Sequence, residues 1–350
     1  DTPMQNPVVK TFWDQPTGSW QYVFHDPATM KGAIIDPVLD FDPLSGATSS
    51  ANAQRLLDYV QAAGIDLVWI LDTHPHADHF SAAQWLKART GAPTAIGEKV
   101  VGVQKLWKEI YNLPDDFPTD GSQWDHLFTD GEAFNVGEVP VRVMFSPGHT
   151  LASVTYVAGD AAFVHDTLMM PDGGTSRADF PGGSSKALFD SIQDILALPD
   201  DTRVFVGHDY APKGRAAQCV ATVAEHKATN IHLKDAPGEA EYRSLRDARD
   251  ATLPLPRLML AALQLRWQSH RALRAHPGWQ PLHYRFDTPW VDTRGDDEGQ
   301  AAPAPAHAAL SPLPASTTLI HWAGAGLQSA SLGAALSVDP APLQLRAGGN

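Results

Sequence analysis

The chain has 350 residues and a mass of 37.8 kDa, so it can form one large domain or two ordinary ones. Hydrophobic residues make up 43% of it and charged residues 19%, which is a composition typical of a globular protein with an ample core. The net charge of −14 and the pI near 5.4 argue against nucleic acid or an anionic membrane as the main partner, because both bind through clustered lysine and arginine.

The cysteine content and the start of the chain bear on its location. Cys219 is the single cysteine, so no intrachain disulfide can form, which fits a reducing compartment. The sequence contains no apolar run of the roughly 18 residues that a membrane span needs. The first twenty residues also lack the basic start and apolar stretch of a signal peptide, although a first residue of Asp1 leaves a processed start open. We expect a cytoplasmic protein.

The first 210 residues alternate strand-like and helix-like segments. Apolar runs predict two early strands, Trp20–Phe24 and Gly32–Ile35, the second of which ends at an Asp-Pro turn. Apolar residues at helical spacing then predict a helix that Gly64 ends. Its apolar positions are Ala53, Leu56, Leu57 and Val60. A third apolar run predicts a strand over residues 65–71.

The heptapeptide Thr-His-Pro-His-Ala-Asp-His, residues 73–79, follows this strand at once. Its potential metal ligands are His74, His76, Asp78 and His79. Imidazole and carboxylate together suit zinc, iron or manganese better than magnesium or calcium, which prefer sites made of oxygen alone. Histidines can instead cap helices or satisfy hydrogen bonds in a core. Four ligand-type side chains packed this tightly at a strand end favour a metal site.

The chain then continues with the same mixture of elements. A helix is predicted from about Phe80 to Arg89, closed by Gly91. Further strands are predicted near Pro140–Phe145, Val154–Val157, Ala162–Val164 and Arg203–Val206. A helix before the last of these strands has Leu188, Ile192, Ile195 and Leu196 on one face. This order predicts a layered α/β architecture in which sheets are buried beneath helices.

Three more polar clusters fall where predicted strands end. They are Ser146–Thr150, His165–Thr167 and Gly207–Tyr210, and each contains a histidine. Side chains at strand ends can converge on one site because the sheet beneath holds them rigidly. Together with the heptapeptide, these clusters predict a single composite metal centre.

The last third of the chain changes in character. Residues 211–264 look like a helical segment, with prolines and glycines that interrupt it. Residues 301–350 contain only Asp339 and Arg346 as formally charged residues and are rich in Ala, Pro, Ser and Gly. We therefore predict a catalytic domain over residues 1–265 and a low-complexity extension over 266–350 that is disordered or loosely docked.

Residues 73–79 meet in full the motif Thr-His-x-His-x-Asp-His of the metallo-β-lactamase superfamily, which the chain resembles. Within it, the chain is more similar to the persulfide dioxygenases, also called sulfur dioxygenases. Residues 166–183 are similar to the signature Asp…Arg-x-Asp-Phe-x-x-Gly of that branch. Similarity extends to Ser146–Thr150, to Gly207–Tyr210 and to a predicted helix around Glu225–Leu233. It covers roughly residues 6–264, and the tail after 265 resembles nothing in the family.

The resemblance implies an αββα sandwich that holds one Fe(II) per chain. The iron ligands of the family are carried over onto His74, His149 and Asp166. Two histidines and one carboxylate form a facial triad, which leaves coordination positions open for substrate and O₂. The implied reaction is the oxidation of the small-molecule substrate glutathione persulfide by O₂, which yields sulfite and glutathione.

The resemblance also implies roles for other polar residues. In the dioxygenases, four further groups orient the ligands by hydrogen bonds; here they are His76, Asp78, His79 and His208. Arg177 is expected to bind a carboxylate of glutathione, and its alternative role is a salt bridge with Asp172 or Asp179. Tyr210 is expected to contact the substrate, and its alternative role is a core residue with a wet hydroxyl.

Two other functions stay open at this point. A thioester hydrolase similar to glyoxalase II uses the same heptapeptide with two zinc or iron ions per chain, which generate hydroxide. In that case Asp78, His79 and His208 bind the second metal. The third alternative is a non-enzymatic module whose tail recruits partners. A homodimer is also open as an assembly.

Overall fold

The computed structural model describes residues 6–43, 47–113, 115–254, 256 and 258–259, together with two short strands near the C-terminus. The chain divides into two compact units, residues 1–297 and 298–350. The predicted extension over 266–350 lies outside the described residues except for the antiparallel strands Ile320–Trp322 and Leu327–Ser329. The domain boundary near residue 265 therefore stays a prediction.

The first half of the unit over residues 1–297 forms one six-stranded sheet with a small sheet beside it. In chain order its elements are β1 (Val8–Asp14), β2 (Ser19–His25), β3 (Lys31–Ile35), β4 (Val38–Asp42), β5 (Ala47–Ser49), α1 (Ala51–Ala62), β6 (Asp66–Leu71), β7 (Phe80–Ser81), α2 (Ala83–Thr90), β8 (Thr94–Gly97), α3 (Val100–Ile110) and β9 (His126–Phe128). The large sheet has the order β1-β2-β3-β6-β8-β9, and the small one β5-β4-β7.

The second half forms another six-stranded sheet. Its elements are β10 (Ala133–Val136), β11 (Val139–Phe145), β12 (Val154–Ala158), β13 (Ala161–His165), α4 (Ser185–Leu196), β14 (Arg203–Val206), a 3₁₀ turn (Pro212–Gly214), β15 (Val220–Thr222), α5 (Val223–Thr229) and α6 (Glu239–Asp250). These strands follow one another in the order β10 to β15. Among the described residues, no helix is long and apolar enough to cross a membrane.

The two large sheets pack face to face around a buried aromatic core. Phe24 of the first sheet stacks on Phe163 of the second, with ring centroids 5.3 Å apart, and Phe163 stacks on Phe205 at 5.1 Å. Helices cover both outer faces: Leu56 of α1 packs with the first sheet, and Leu188 of α4 packs with the second. The αββα sandwich implied by the resemblance is confirmed, and it places the core between the sheets.

Two of the predicted elements differ from the structure. The helix predicted from Phe80 begins at Ala83 instead, because Phe80 and Ser81 form β7 and pair with Leu39 and Val38 of β4. The segment after residue 211 is less helical than predicted, since β15 pairs as an edge strand with β14 before α5 begins. Both errors arise where pairing with a distant strand outweighs the local pattern.

Four loops that follow β6, β11, β13 and β14 meet at one rim of the sandwich. Backbone hydrogen bonds join the two sheets there: Trp20 N donates to Gly207 O at 2.8 Å, and Val154 N donates to Thr73 O at 2.9 Å. These loops carry the four polar clusters found in the sequence. The predicted convergence of the clusters is therefore a consequence of how the sheets are stacked.

Gly148 is the point where one of these loops lies against α4, and it gives a test of the packing. A Cβ at this position would lie 2.3 Å from Leu188 Cα, and the φ of 141° belongs to a region that favours glycine. We expect Gly148→Ala to lower the free energy of unfolding by about 1–3 kcal/mol through overpacking, with backbone strain of about 1–3 kcal/mol in addition. Chemical denaturation measures both.

Gly91→Ala is the matched control, because Gly91 also has a positive φ but a Cβ there meets nothing within 4 Å. It should cost only the strain of about 1–2 kcal/mol. Equal losses in the two variants would contradict close packing of the loop on α4.

Candidate metal centre

Asp36 anchors the heptapeptide loop at the rim. Its carboxylate accepts hydrogen bonds from Thr73 N at 2.8 Å, from Thr73 Oγ1 at 2.6 Å and from His76 Nε2 at 2.8 Å. Burial by itself would raise the pKa of Asp36, but the His76 ring and the Thr73 donors outweigh it and lower that pKa. The buried carboxylate is therefore ionised and fixes the start of the loop.

His74 is held as a neutral ring with one free nitrogen. The Thr73 hydroxyl donates to Asp36, so its oxygen accepts from His74 Nδ1–H at 3.0 Å. The lone pair is thus on His74 Nε2, which is buried and has no hydrogen-bond partner among the described residues. Burial and the neighbouring histidine rings lower the pKa of His74 well below its usual value. Such a nitrogen is suited to bind a metal.

His149 has its free nitrogen fixed in the same way. Its Nδ1 lies 2.9 Å from the carbonyl oxygen of Arg177, which can only accept a hydrogen bond. The proton is therefore on Nδ1, and Nε2 lies 3.3 Å from Asp166 Oδ2. A histidine that donates its second nitrogen to a carbonyl is the arrangement found for most metal-binding histidines.

Asp166 completes a set of three ligands. Its Oδ2 lies 3.8 Å from His74 Nε2, and its Oδ1 is buried and unpartnered among the described residues. Burial would raise its pKa, but the rings of His208 and His149 outweigh burial and lower it. The ligand atoms of His74, His149 and Asp166 lie within 4.8 Å of one another. A cation would satisfy these buried lone pairs, so the donor set fits a metal.

His208 bridges two carboxylates next to this set. Its Nδ1 donates to Gly18 O at 3.0 Å, and its Nε2 lies 3.2 Å from Asp78 Oδ2 and 3.3 Å from Asp166 Oδ2. Burial would lower the pKa of His208, yet the two carboxylates outweigh it and hold that pKa well above its usual value. Without a metal, the ring is therefore protonated and neutralises part of the acidic charge.

His76 and His79 belong to a separate group around Asp78. His79 Nδ1 donates to Asp78 Oδ2 at 2.9 Å, which leaves His79 Nε2 free. His76 is bound through Nε2, which leaves its Nδ1 free. Within the described ranges, His79 groups with His76 and Asp78, whereas His208 groups with Asp78 and Asp166. The seven predicted polar residues thus lie at one rim, but they form overlapping sets.

A cavity of about 380 Å³ is lined by two members of the three-ligand set, His149 and Asp166. Much of its wall is apolar, made by Ala77, Met169, Phe180, Leu253, Pro254 and Pro256. Three arginines also line it: Arg177, Arg246 and Arg249. Tyr210 stands at the edge with 68% of its surface exposed, and its ring lies parallel to that of His208 at 5.8 Å between centroids. The cavity can therefore hold a small anionic molecule with an apolar part.

Arg177 lines this cavity, but most of its guanidinium is already engaged. Nε and Nη2 each donate to the carboxylate of Asp179 at 2.7 Å, and Nη1 donates to Pro254 O at 2.6 Å. The alternative salt bridge with Asp179 is thus present, whereas Asp172 pairs with Arg215. Two of the five N–H donors of the guanidinium are left for a ligand.

Three contributors to the centre were not predicted from the sequence. Asp36 stood out only as the end of a strand, although an Asp with a φ of 50° is unusual enough to mark a special position. Gly18 provides a carbonyl, and Arg249 provides a charge from a distant helix. Gly18 and Arg249 belong to no sequence pattern that predicts a site, because each reaches the centre only through the tertiary fold.

Comparisons with known proteins agree with this geometry. Residues 36–208 match the model of the metallo-beta-lactamase superfamily. A beta-lactamase hydrolase-like protein of Xylella fastidiosa is 63% identical over 262 residues, or 75% of this chain. The chain spans only 60% of that relative's length. Glyoxylase B2 of Dictyostelium discoideum is 44% identical over 73% of this chain and 89% of its own.

Solved structures give the same result. The crystal structure of ETHE1 from Myxococcus xanthus superimposes with a TM-score of 0.59 at 29% sequence identity. The match covers 75% of this chain and all of that one. The matched family model starts at Asp36, which anchors the heptapeptide, and ends at His208, so it contains the whole histidine and aspartate cluster. The chain belongs to the metallo-β-lactamase superfamily, and the cluster at its rim is the metal-binding site of that fold.

Proposed function

We propose that the chain is a persulfide dioxygenase with one non-haem Fe(II), which oxidises glutathione persulfide to sulfite and glutathione. The observation that carries the proposal is the grouping of His74, His149 and Asp166 as one set of three ligand atoms within 4.8 Å. Two imidazoles and one carboxylate suit Fe(II) and leave several coordination positions open. The similarity to ETHE1 of Myxococcus xanthus adds support.

The reaction balances with one molecule of water. Glutathione persulfide, O₂ and water give glutathione and sulfurous acid, which ionises to sulfite. The outer sulfur loses four electrons to O₂, the sulfur–sulfur bond breaks, and the glutathione sulfur leaves as a thiol. Fe(II), when bound, supplies the open positions where O₂ is activated; the protein supplies orientation and a protected cavity.

The residues around the triad are suited to these tasks. Thr73 and the Arg177 carbonyl contact the non-ligating nitrogens of His74 and His149, so both rings keep a fixed orientation. The Phe180 ring lies 5.2 Å from the His149 ring and forms part of the apolar wall. That wall limits water near a reactive sulfur.

A dinuclear thioester hydrolase is the second candidate. His76 Nδ1 and His79 Nε2 are buried nitrogens without partners in the described part of the chain, and both could bind metal. The Dictyostelium relative named a glyoxylase favours this function as well. Against it, the ligand atoms of Asp78, His79 and His208 do not form one group. Two metals would require these three residues to rearrange.

We expect about one iron per chain in protein prepared with iron and zinc both available, with O₂ uptake on addition of glutathione persulfide. His149→Ala should lose the iron because it removes a ligand. His79→Ala should keep it, because His79 is outside the three-ligand set and its Nδ1 donates to Asp78. Elemental analysis and an oxygen electrode measure both.

The half-buried His126, which pairs with Glu132 away from the cluster, provides a control variant that should change neither quantity. Two tightly held metals per chain, lost in part with His79→Ala, would favour the hydrolase. Hydrolysis of S-lactoylglutathione without O₂ uptake would point the same way and would reject the dioxygenase.

We propose that Arg177, Arg249 and Tyr210 bind the glutathione part of the substrate. An acidic protein that binds an anion needs local positive charge, and Arg249 lies at the cavity with no ion pair to the described residues. Arg177 contributes its two remaining donors, and Tyr210 offers an exposed ring and hydroxyl at the edge. We also propose that the protein is cytoplasmic and that it can assemble as a homodimer.

Replacing either arginine with alanine should raise KM about ten- to a hundredfold and leave kcat little changed. Each variant loses one or two charge-assisted hydrogen bonds, worth about 1.5–3 kcal/mol at most, and this is the pattern of lost uniform binding. Arg177→Lys should restore binding only in part, since lysine lacks the planar two-point contact. Steady-state O₂ consumption measures the effect.

Arg243→Ala is the matched control on α6, because Arg243 pairs with exposed Glu239 on the same helix. Its KM should stay at the wild-type value. An unchanged KM in Arg177→Ala, with a lower stability, would mean that Arg177 acts only through its salt bridge with Asp179.

A further inference from the structure

We propose that Arg246 and Asp250 of α6 are positioning residues for the metal centre. They hold the loop Thr175–Ala178, and the main chain and a hydroxyl of that loop orient His149 and Asp166. The inference rests on the metal centre proposed above, but not on which reaction that centre carries out. Neither residue belongs to a motif of the sequence.

The ion pair itself is buried, which distinguishes it from ordinary pairs on a helix surface. Arg246 is 1% exposed and Asp250 is 4% exposed. Arg246 Nε donates to Asp250 Oδ1 at 2.9 Å, and Nη2 lies 2.5 Å from the same oxygen. A buried pair stabilises a protein only if further hydrogen bonds satisfy its remaining donors and acceptors. The groups to which Arg246 and Asp250 make their remaining hydrogen bonds therefore indicate which part of the structure the pair supports.

The remaining hydrogen bonds of the pair go to the two ends of the loop. Arg246 Nη1 donates to Thr175 O at 2.8 Å, and Ala178 N donates to Asp250 Oδ2 at 2.8 Å. The Tyr242 hydroxyl, also on α6, lies 2.8 Å from Thr175 Oγ1. One helix face thus fixes both ends of a loop four residues long.

The two residues between these anchors contact the metal ligands. The carbonyl of Arg177 accepts from His149 Nδ1 at 2.9 Å, and the Ser176 hydroxyl donates to the main-chain oxygen of Asp166. A shift of the loop would therefore turn the His149 ring and move the backbone that carries Asp166. Loss of such supporting contacts typically lowers metal affinity or activity about ten- to a hundredfold.

Arg246→Lys tests the proposal with Zn(II)-loaded protein, so that the result does not depend on iron chemistry. Lysine keeps a charge but cannot contact both Asp250 and the Thr175 carbonyl in the fork geometry of arginine. We expect release of Zn(II) to a chelator to be about ten- to a hundredfold faster than in the wild type. Release is followed by absorbance of a zinc-binding dye.

Arg203→Lys is the control for the same substitution at an arginine that forms an ion pair away from the metal centre. Arg203 makes a bidentate, partly buried pair with Asp160, which lies at the opposite end of β13 from Asp166. This variant should release Zn(II) at the wild-type rate, and chemical denaturation of both variants measures how much stability each has lost. Equal release rates in Arg246→Lys and Arg203→Lys would overturn the proposal.

Hydrogen exchange of the wild type provides a second measurement if Arg246→Lys does not fold. Coupling between two sites is reciprocal. If the loop and α6 stabilise metal binding, metal binding should therefore slow amide hydrogen exchange in the loop and in α6. We expect Zn(II) to slow exchange of the Ala178 amide and of amides at the end of α6, but not of those in α1. Unchanged exchange at Ala178 on metal binding would contradict the proposal. O₂ uptake tests the reaction itself in a separate experiment.

Discussion

Burial of several carboxylates and imidazoles at one rim of the sandwich is the constraint on which the rest of the structure depends. Unpaired buried charges cost several kcal/mol each, so each group needs a partner. The Asp36 carboxylate accepts three hydrogen bonds, and the His208 ring lies between the carboxylates of Asp78 and Asp166. What is left unsatisfied is a small set of nitrogen and oxygen atoms that converge, and a metal ion is the partner that fits them.

Hydrogen bonds to the non-ligating atoms determine which ring nitrogens of the centre carry a proton. A carboxylate or a carbonyl can only accept, so His208, which contacts such groups through both nitrogens, carries a proton on each. For the same reason His76 Nε2, His79 Nδ1 and His149 Nδ1 each carry one proton. His74 reaches the same state through the Thr73 hydroxyl. The ligand nitrogens are thus prepared before any metal arrives. These proton positions are compatible with one bound metal or with two. The grouping of the ligand atoms of His74, His149 and Asp166 is the observation that favours a single metal.

The support of the centre extends well beyond the loops that carry the ligands. The loop Thr175–Ala178 joins the metal ligands to α6, and Arg177 ties that loop to the segment around Pro254. The wall of the cavity and the orientation of His149 therefore depend on the same helix.

The sequence by itself determined a layered α/β fold, because apolar runs mark its strands, and it predicted a metal site, because residues 73–79 concentrate potential ligands in one loop. The αββα sandwich and the ligand set His74, His149 and Asp166 were predicted from the family resemblance. The sequence also predicted that the loop clusters containing His149, Asp166 and His208 converge, since strand ends can share a rim. Only the tertiary structure decided which nitrogen of each ring is free and that Arg177 pairs with Asp179. It alone placed α6 behind the centre. These features depend on contacts between residues far apart in the chain, which no local pattern records.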